Sequence, residues 1–420
     1  MIKKLFLFVL LFVFCSTSGF AQADFKLMFY NLLNFPLEDA VPDRLASLEF
    51  ILDDYRPDIF MVCELNNEEG ANTILSSLQT INPDYVSATF ELNTSDDNLS
   101  NQNDLQQLIY YDSTKFILES QAIVTTIFRD FNHYKLKINS VEQETAPIVI
   151  DFFVCHLKAS SGSENQASRL EMIEDLVIYL DDFPEDSNVV LAGDFNIYTD
   201  SELAFQRLID PSNNITFIDP ANRIGSWHNN PSFVDVMTQS TRTQTGLGGT
   251  TGGFDDRFDF IMTSENLSTN PDLSFISGSY DVYGNNENTN CYNQSINSTN
   301  CAGSDFSFAI RDALHNFSDH LPVILELQTN QSLSIPEFTA PKLLTILGSN
   351  VIDNTLKLEA NLSLQNDLEL IIFNSLGQVI KTVDVNNTLI SLDVTQISSG
   401  IYYITSSRFQ FKPLKFLVAH

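Results

Sequence analysis

Val189-Val190-Leu191-Ala192-Gly193-Asp194-Phe195-Asn196 is the stretch that decides the fold. Its unbroken apolar start reads as a strand covered on both faces, as in a layered α/β protein. Gly193 lets the backbone turn sharply at the strand end, where Asp194 and Asn196 follow. Residues two apart on an extended chain point the same way, so a carboxylate and a carboxamide are expected to share one cleft. The carboxylate can orient and deprotonate a water, and the carboxamide can hold a phosphate oxygen. A polar turn that only caps the strand would use the same residues. Ser318-Asp319-His320 offers an acid and an imidazole just before the apolar run 321–327, with Pro322 fixing the turn.

Outward from these two stretches, residues 24–327 alternate strand-like and helix-like patterns. Apolar runs at 25–31, 59–63, 108–111, 148–155, 188–192, 258–262 and 321–327 read as strands. Leu45, Leu48, Leu52 and Tyr55 recur at helical spacing until Pro57 ends that helix, and Leu170, Ile173, Val177 and Leu180 mark a second. Many strands with few helices point to packed sheets flanked by helices, an α+β sandwich rather than a doubly wound sheet. Polar candidates fall at strand ends: Asn31, Glu64, His156, Asp194, Asp259 and Asp319. An unpaired carboxylate at the end of a buried strand is costly, so Glu64 needs either a divalent cation or an arginine. Lys158 stands two residues beyond His156 and reads as a phosphate contact, although a lone histidine there also fits a satisfied structural residue. In Arg257-Phe258-Asp259, Asp259 can brace a histidine and Arg257 can reach substrate. An ordinary surface ion pair is the plainer alternative.

The chain has 420 residues, which calls for two domains. Its 54 acidic and 22 basic residues give a formal charge of −32, which excludes steering to DNA or anionic lipid by the overall field. Any phosphate must be captured by local bases and metal. Residues 1–21 read as a signal peptide, with Lys3 and Lys4, an apolar run at 5–14 and a cleavage site at Gly19-Phe20-Ala21. That run is too short to span a bilayer as a mature helix. Export places the chain in an oxidising compartment, so Cys291 and Cys301, in an Asn-rich loop, are expected to pair. Cys63 and Cys155 sit in apolar runs as small hydrophobes. Residues 328–341 read as a linker. Residues 342–420 hold short strands separated by turn signals, a small β-sandwich domain with no chemistry of its own.

Taken together, Tyr30-Asn31-Leu32-Leu33-Asn34, Pro57-Asp58-Ile59 through Glu64, His156-Leu157, Gly193-Asp194-Phe195-Asn196, Arg257-Phe258-Asp259-Phe260-Ile261 and Ser318-Asp319-His320 resemble the ordered motifs of the endonuclease/exonuclease/phosphatase superfamily. The match extends over residues 25–327. The resemblance implies a four-layer α/β/β/α sandwich with the site at one sheet edge. It implies Asn31, Glu64 and Asp319 as ligands of Mg²⁺ or Mn²⁺, with Ca²⁺ as an alternative structural ion. Asp194 would orient the attacking water and Asn196 a phosphate oxygen. His320, braced by Asp259, would contact the scissile phosphate, and His156 would donate a hydrogen bond or a proton. Some members pair the equivalent of His156 with a glutamate, but Asn103-Asp104-Leu105-Gln106-Gln107 contains none.

The implied activity is metal-dependent phosphodiester hydrolysis, read first as a DNA or RNA endonuclease. A lipid or small-molecule phosphodiesterase is the alternative, and a catalytically silent binding module the third reading. Residues 277–307 are rich in Asn and Ser and lack the apolar hairpin expected of a lipid enzyme. Leu376-Gly377-Gln378, Ser399-Gly400-Ile401-Tyr402-Tyr403 and Lys415-Phe416-Leu417-Val418 resemble the sorting domain of the type IX secretion system. Gly348-Ser349-Asn350-Val351 replaces its usual Asn-Pro start. That resemblance implies transit of the periplasm, secretion or surface display, and the secretion machinery as a partner. A monomer without stable membrane insertion is expected.

Overall fold

The apolar runs pair into two sheets packed face to face. The computed structural model describes residues 23–94, 105–334, 344–360, 368–385, 387–406 and 413–420, so the expected signal peptide lies outside it. The chain divides into units Met1–Ser334 and Ile335–His420. The first contains β1 (Ala23–Phe35), α1 (Arg44–Tyr55), β2 (Ile59–Leu65), α2 (Glu68–Ile81), β3 (Tyr85–Ser87), β4 (Gln106–Asp112), β5 (Phe116–Val124), β6 (Phe131–Ile138) and β7 (Val149–His156). It continues with α3 (Ser163–Leu180), β8 (Val189–Asp194), α4 (Leu203–Leu208), β9 (Phe217–Ile218), β10 (Asp259–Ser264), β11 (Leu273–Phe275), β12 (Asp281–Val282), α5 (Phe308–Phe317) and β13 (Val323–Thr329). One sheet runs β11-β13-β1-β2-β4-β3, with β12 also on β13, and the other runs β5-β6-β7-β8-β10-β9.

Side-chain alternation explains the layers. Along β7, Phe152 and Val154 join the core shared by both sheets, while Phe153 and Cys155 join a second core with Met172, Ile173 and Leu176 of α3. Both faces of the strand are therefore apolar, which is why it reads as a continuous run. Leu48 of α1, Ile74 of α2 and Leu314 of α5 belong to the first core, completing an α/β/β/α sandwich. The sequence reading missed α2 and α5, whose starts are signalled by caps: Asn67 accepts from Gly70 N and Ser307 from Ile310 N. It also missed β5, which is mostly exposed along its length.

Register sets the cleft. His156 pairs with Asp194 across β7 and β8, and Asp194 pairs with Asp259 across β8 and β10. In the other sheet Asn31 pairs with Cys63, one residue before Glu64. The chain enters β13 through Asp319-His320. Gly193 is needed for the approach of β8 to β7, because a Cβ there would lie 2.4 Å from Cys155 Sγ.

The expected linker is corrected at its start. Gln328 and Thr329 complete β13, and Ser334 N donates to Asn139 O. Polar side chains did not end the strand because neighbours satisfy them: Thr329 Oγ1 donates to Asp272 O and Gln331 Nε2 to Ala146 O. Residues 335–343 lie outside the described residues. The second unit holds β14 (Leu344–Ile346), β15 (Val351–Ile352), β16 (Thr355–Ala360), β17 (Leu368–Asn374), β18 (Val379–Val385), β19 (Leu389–Asp393), β20 (Gly400–Thr405) and β21 (Leu414–Val418). They form sheets β14-β16-β19 and β15-β21-β20-β17-β18, around Leu356, Leu370, Ile404 and Phe416. A disulfide joins Cys291 to Cys301, and Cys63 and Cys155 are buried thiols.

Candidate active site

Where the strand ends meet, Asn31 is the hub. Its Nδ2 donates to Glu64 Oε1 at 3.1 Å and Asp194 Oδ2 at 3.0 Å, and lies 3.5 Å from His320 Nε2. Its Oδ1 accepts from Leu33 N. Glu64 also accepts from Asn34 N at 3.0 Å, and Asp194 Oδ1 from Asn196 N at 3.0 Å. Glu64 and Asn196 have φ of 58° and 51°, left-handed conformations that persist only where the surroundings over-determine them. His320 Nδ1 pairs with Asp259 Oδ2 at 2.7 Å. His156 Nε2 faces Asp194 at 3.6 Å and Glu64 at 3.9 Å. These groups, except the underlying Asn31 and Asp259, line a cleft of about 330 Å³ together with Tyr198, Gln239, Thr250 and Phe258.

Burial raises the Glu64 carboxyl, and the Asp319 charge adds to it. Burial also pushes Asp194 up to about 7, with His320 opposing and Asp259 and Glu64 adding. His320 would be depressed by burial, but Asp259 and Asp319 outweigh that and hold it well above the ordinary histidine value. Burial, then Arg129 and His320, push His156 well below that value, so it is neutral. Among the described residues His156 Nδ1 has no hydrogen-bond partner. Glu64, His156 and Asp194 bring ligand atoms within 4.8 Å of one another. Desolvated carboxylates side by side are what a hard divalent cation relieves, so Glu64 and Asp194 fit such a cation.

Asn31, Glu64, His156, Asp194, Asn196, Asp259, Asp319 and His320 thus come together, with differences from the sequence reading. Asn31 turns its amide nitrogen, not its oxygen, to the carboxylates, because Leu33 N already occupies the oxygen. That nitrogen holds Glu64 and Asp194 in place. Asp319 is absent from the converging groups; its Oδ2 accepts from Thr250 N at 2.7 Å and Gln239 Nε2 at 3.3 Å. Asn196 reaches the cleft through a left-handed turn, not along an extended chain. Arg257 does not face substrate. It is fully buried, donates twice to Asp219 at 2.8 Å and lies over the Phe260 ring at 4.1 Å. Lys158 does not line the cleft; its Nζ donates to Ala159 O at 3.0 Å and sits 5.1 Å from the Phe128 ring.

Sequence reasoning missed Tyr198, Gln239, Thr250 and Asp256, the last paired with His228 Nδ1 at 2.5 Å. Only the glycine run before Arg257 hinted at them. Gly249 there has φ of 65°, and a Cβ would fall 2.5 Å from Asp319 Cγ. Gly249→Ala is expected to shift Asp319 and lower kcat/KM by about a hundredfold. Gly246→Ala carries the same backbone strain into open space and should change it little in the same steady-state assay.

Residues 28–320 match the Endonuclease/Exonuclease/phosphatase family, and the chain belongs to that family of phosphoesterase hydrolases. Residues 350–418 match the secretion system C-terminal sorting domain, which makes the protein a secreted or cell-surface one. Among the described residues no helix is long and apolar enough to cross a membrane. No curated protein matches the chain. Similar solved structures include the human Nocturnin catalytic domain with bound sulfate, at 16% identity and TM-score 0.45, covering 72% of this chain and 94% of that one. D. rerio TDP2 with a single-strand DNA product has 14% identity and TM-score 0.45, covering 73% and 99%. A Bacteroides thetaiotaomicron protein of the same family has 15% identity and TM-score 0.44, covering 73% and 98%. These likenesses carry no argument about substrate.

Proposed function

We propose that this protein is an exported, divalent-metal-dependent phosphodiester hydrolase, a nuclease or a phosphodiesterase of smaller substrates. One observation carries the reading: Asn31 bridges Glu64 and Asp194 at 3.1 and 3.0 Å while Asp259 directs His320 at the same carboxylates. Glu64 and Asp194 would hold Mg²⁺ or Mn²⁺. When bound, such a cation polarises a phosphoryl oxygen and lowers the pKa of water. Asp194 would orient the attacking water and accept its proton through a carboxylate oxygen that the cation leaves free. The water oxygen bonds to phosphorus as the bond to the alcohol oxygen breaks, and the departing alkoxide takes its proton from solvent. His320, already cationic, donates to a non-bridging oxygen as charge builds there. Asn196 positions a second phosphate oxygen. His156, being neutral, donates a hydrogen bond rather than a proton.

The test is a panel of bis-p-nitrophenyl phosphate, plasmid DNA, RNA and sphingomyelin, each with Mg²⁺, Mn²⁺ or EDTA. Hydrolysis of at least one, abolished by EDTA and restored by Mg²⁺, is the expected result. Turnover that survives EDTA would sink the reading. With the first unit as hydrolase and the second as export signal, a chain ending at Ser334 should hydrolyse normally yet remain inside the producing cell. Secretion of that shortened chain, followed by immunoblot, would contradict the division of roles.

A further inference from the structure

Polynucleotides are held chiefly by lysines and arginines on their phosphates, whatever the base sequence. This cleft presents none. Among the described residues it is lined by four carboxylates, Glu64, Asp194, Asp256 and Asp319, and by no lysine or arginine. The arginines around it approach from beneath and hold main-chain carbonyls of the loops that build it. Arg44 donates to Leu32 O and Phe317 O, Arg129 to His156 O and Leu157 O, and Arg169 to Lys158 O and Ser160 O. Arg242 holds His315 O and Leu247 O, and Arg257 is closed by Asp219.

Bases farther out are also committed: Lys115, Lys137, Arg207 and Arg223 pair with Asp58, Glu119, Glu174 and Asp235. The undescribed stretch 95–104 contains no lysine or arginine to change this. Neutral groups are left to meet the rest of the substrate: Asn34, Ser160, Thr250, and Tyr198 set edge-on to Phe258 at 5.0 Å.

From this arrangement, and resting on the hydrolase reading above, we infer that the substrate is an isolated phosphodiester whose arms carry no further negative charge, not a polyanionic strand. One phosphate is neutralised at the cation and His320. Each further phosphate of a strand would meet carboxylates and a chain of net charge −32, and among the described residues Lys158, held to Ala159 O beside the cleft, is a single base set against them.

The full secreted chain is assayed with Mg²⁺ on bis-p-nitrophenyl phosphate, a dinucleoside monophosphate, sphingomyelin vesicles and a long single-stranded oligonucleotide. Small diesters, soluble or in vesicles, are expected to exceed the oligonucleotide by at least about tenfold in kcat/KM per bond. Their rates should be nearly flat between about 50 and 200 mM NaCl. An oligonucleotide cleaved faster than the dinucleotide, with a steep fall in salt, would overturn the inference.

Fluorescence anisotropy of a labelled oligonucleotide gives a readout independent of turnover. Absence of binding at micromolar protein supports the inference, and tight salt-sensitive binding overturns it even if nothing is hydrolysed. Failure of every diester to react would remove the hydrolase reading alone. Thr250→Lys, an exposed position on the rim, is expected to create measurable oligonucleotide binding with a salt slope of about one. No gain in that variant would count against the missing bases as the cause.

Discussion

His320→Gln is expected to lower kcat/KM on a phosphodiester by about a thousandfold, the loss seen when one preorganised donor to a developing oxyanion is removed. Glutamine is the informative replacement because its amide can still donate to Asp259. Alanine would leave the Asp259 carboxylate, with no exposed surface, without its imidazolium. Breaking one side of a buried charge pair costs about 3–5 kcal/mol, so His320→Ala should lose stability and activity together. Circular dichroism and thermal melting separate the two effects. A glutamine variant with full activity would remove His320 from the mechanism.

Asp259→Asn tests the same pair through pH. Burial opposes the charge on His320, and Asp259 and Asp319 overcome it, so its folded pKa lies well above the ordinary value. A role for the cation is therefore present below that pKa and lost as pH rises through it. Asparagine removes the largest supporting charge, so the alkaline limb of the kcat/KM profile should move to lower pH.

Asp219→Ala should cost about 3–5 kcal/mol by stranding the buried Arg257 guanidinium, a fall of roughly 10 °C in Tm for a unit of this size. Both side chains are 0% exposed and joined by two 2.8 Å bonds. Adding Arg257→Leu should recover much of the loss, since an apolar replacement strands no charge. Burial raises the Asp219 carboxyl, but Arg257 and the amides of Arg223 and Ala221 outweigh it and hold it below its usual range. A depressed acid contributes fully above its unfolded pKa and loses that contribution as pH falls through the folded value. Wild type and Asp219→Ala should thus converge in urea midpoint only in acid. Similar melting of the two at neutral pH would show that the pair is not needed.

Legibility followed how local each signal was. β2, β7 and β8 announce themselves because strands covered on both faces need mostly apolar side chains, and a polar residue is tolerated at the end or, like Asp151 of β7, where a partner such as His133 meets it. Glu64, His156 and Asp194 were readable for that reason. The exposed residues of β5 give no such contrast, whereas α2 and α5 carry apolar faces at helical spacing that a reading built on strands passed over. Arg257 misled because its partner lies 38 residues away, and nothing beside it in the chain distinguishes a buried arginine from a substrate-facing one.

By itself, then, the sequence determined most of the sandwich strands, the residue types at their ends, the C-terminal sorting domain and the pairing of Cys291 with Cys301. Tertiary structure alone decided which atoms meet. Asn31 and Asp194 are separated by 163 residues, and it is the packing of two sheets that turns the Asn31 nitrogen to the carboxylates. The same packing draws the arginines beneath the loops, since buried carbonyls must find donors and a guanidinium can satisfy several at once.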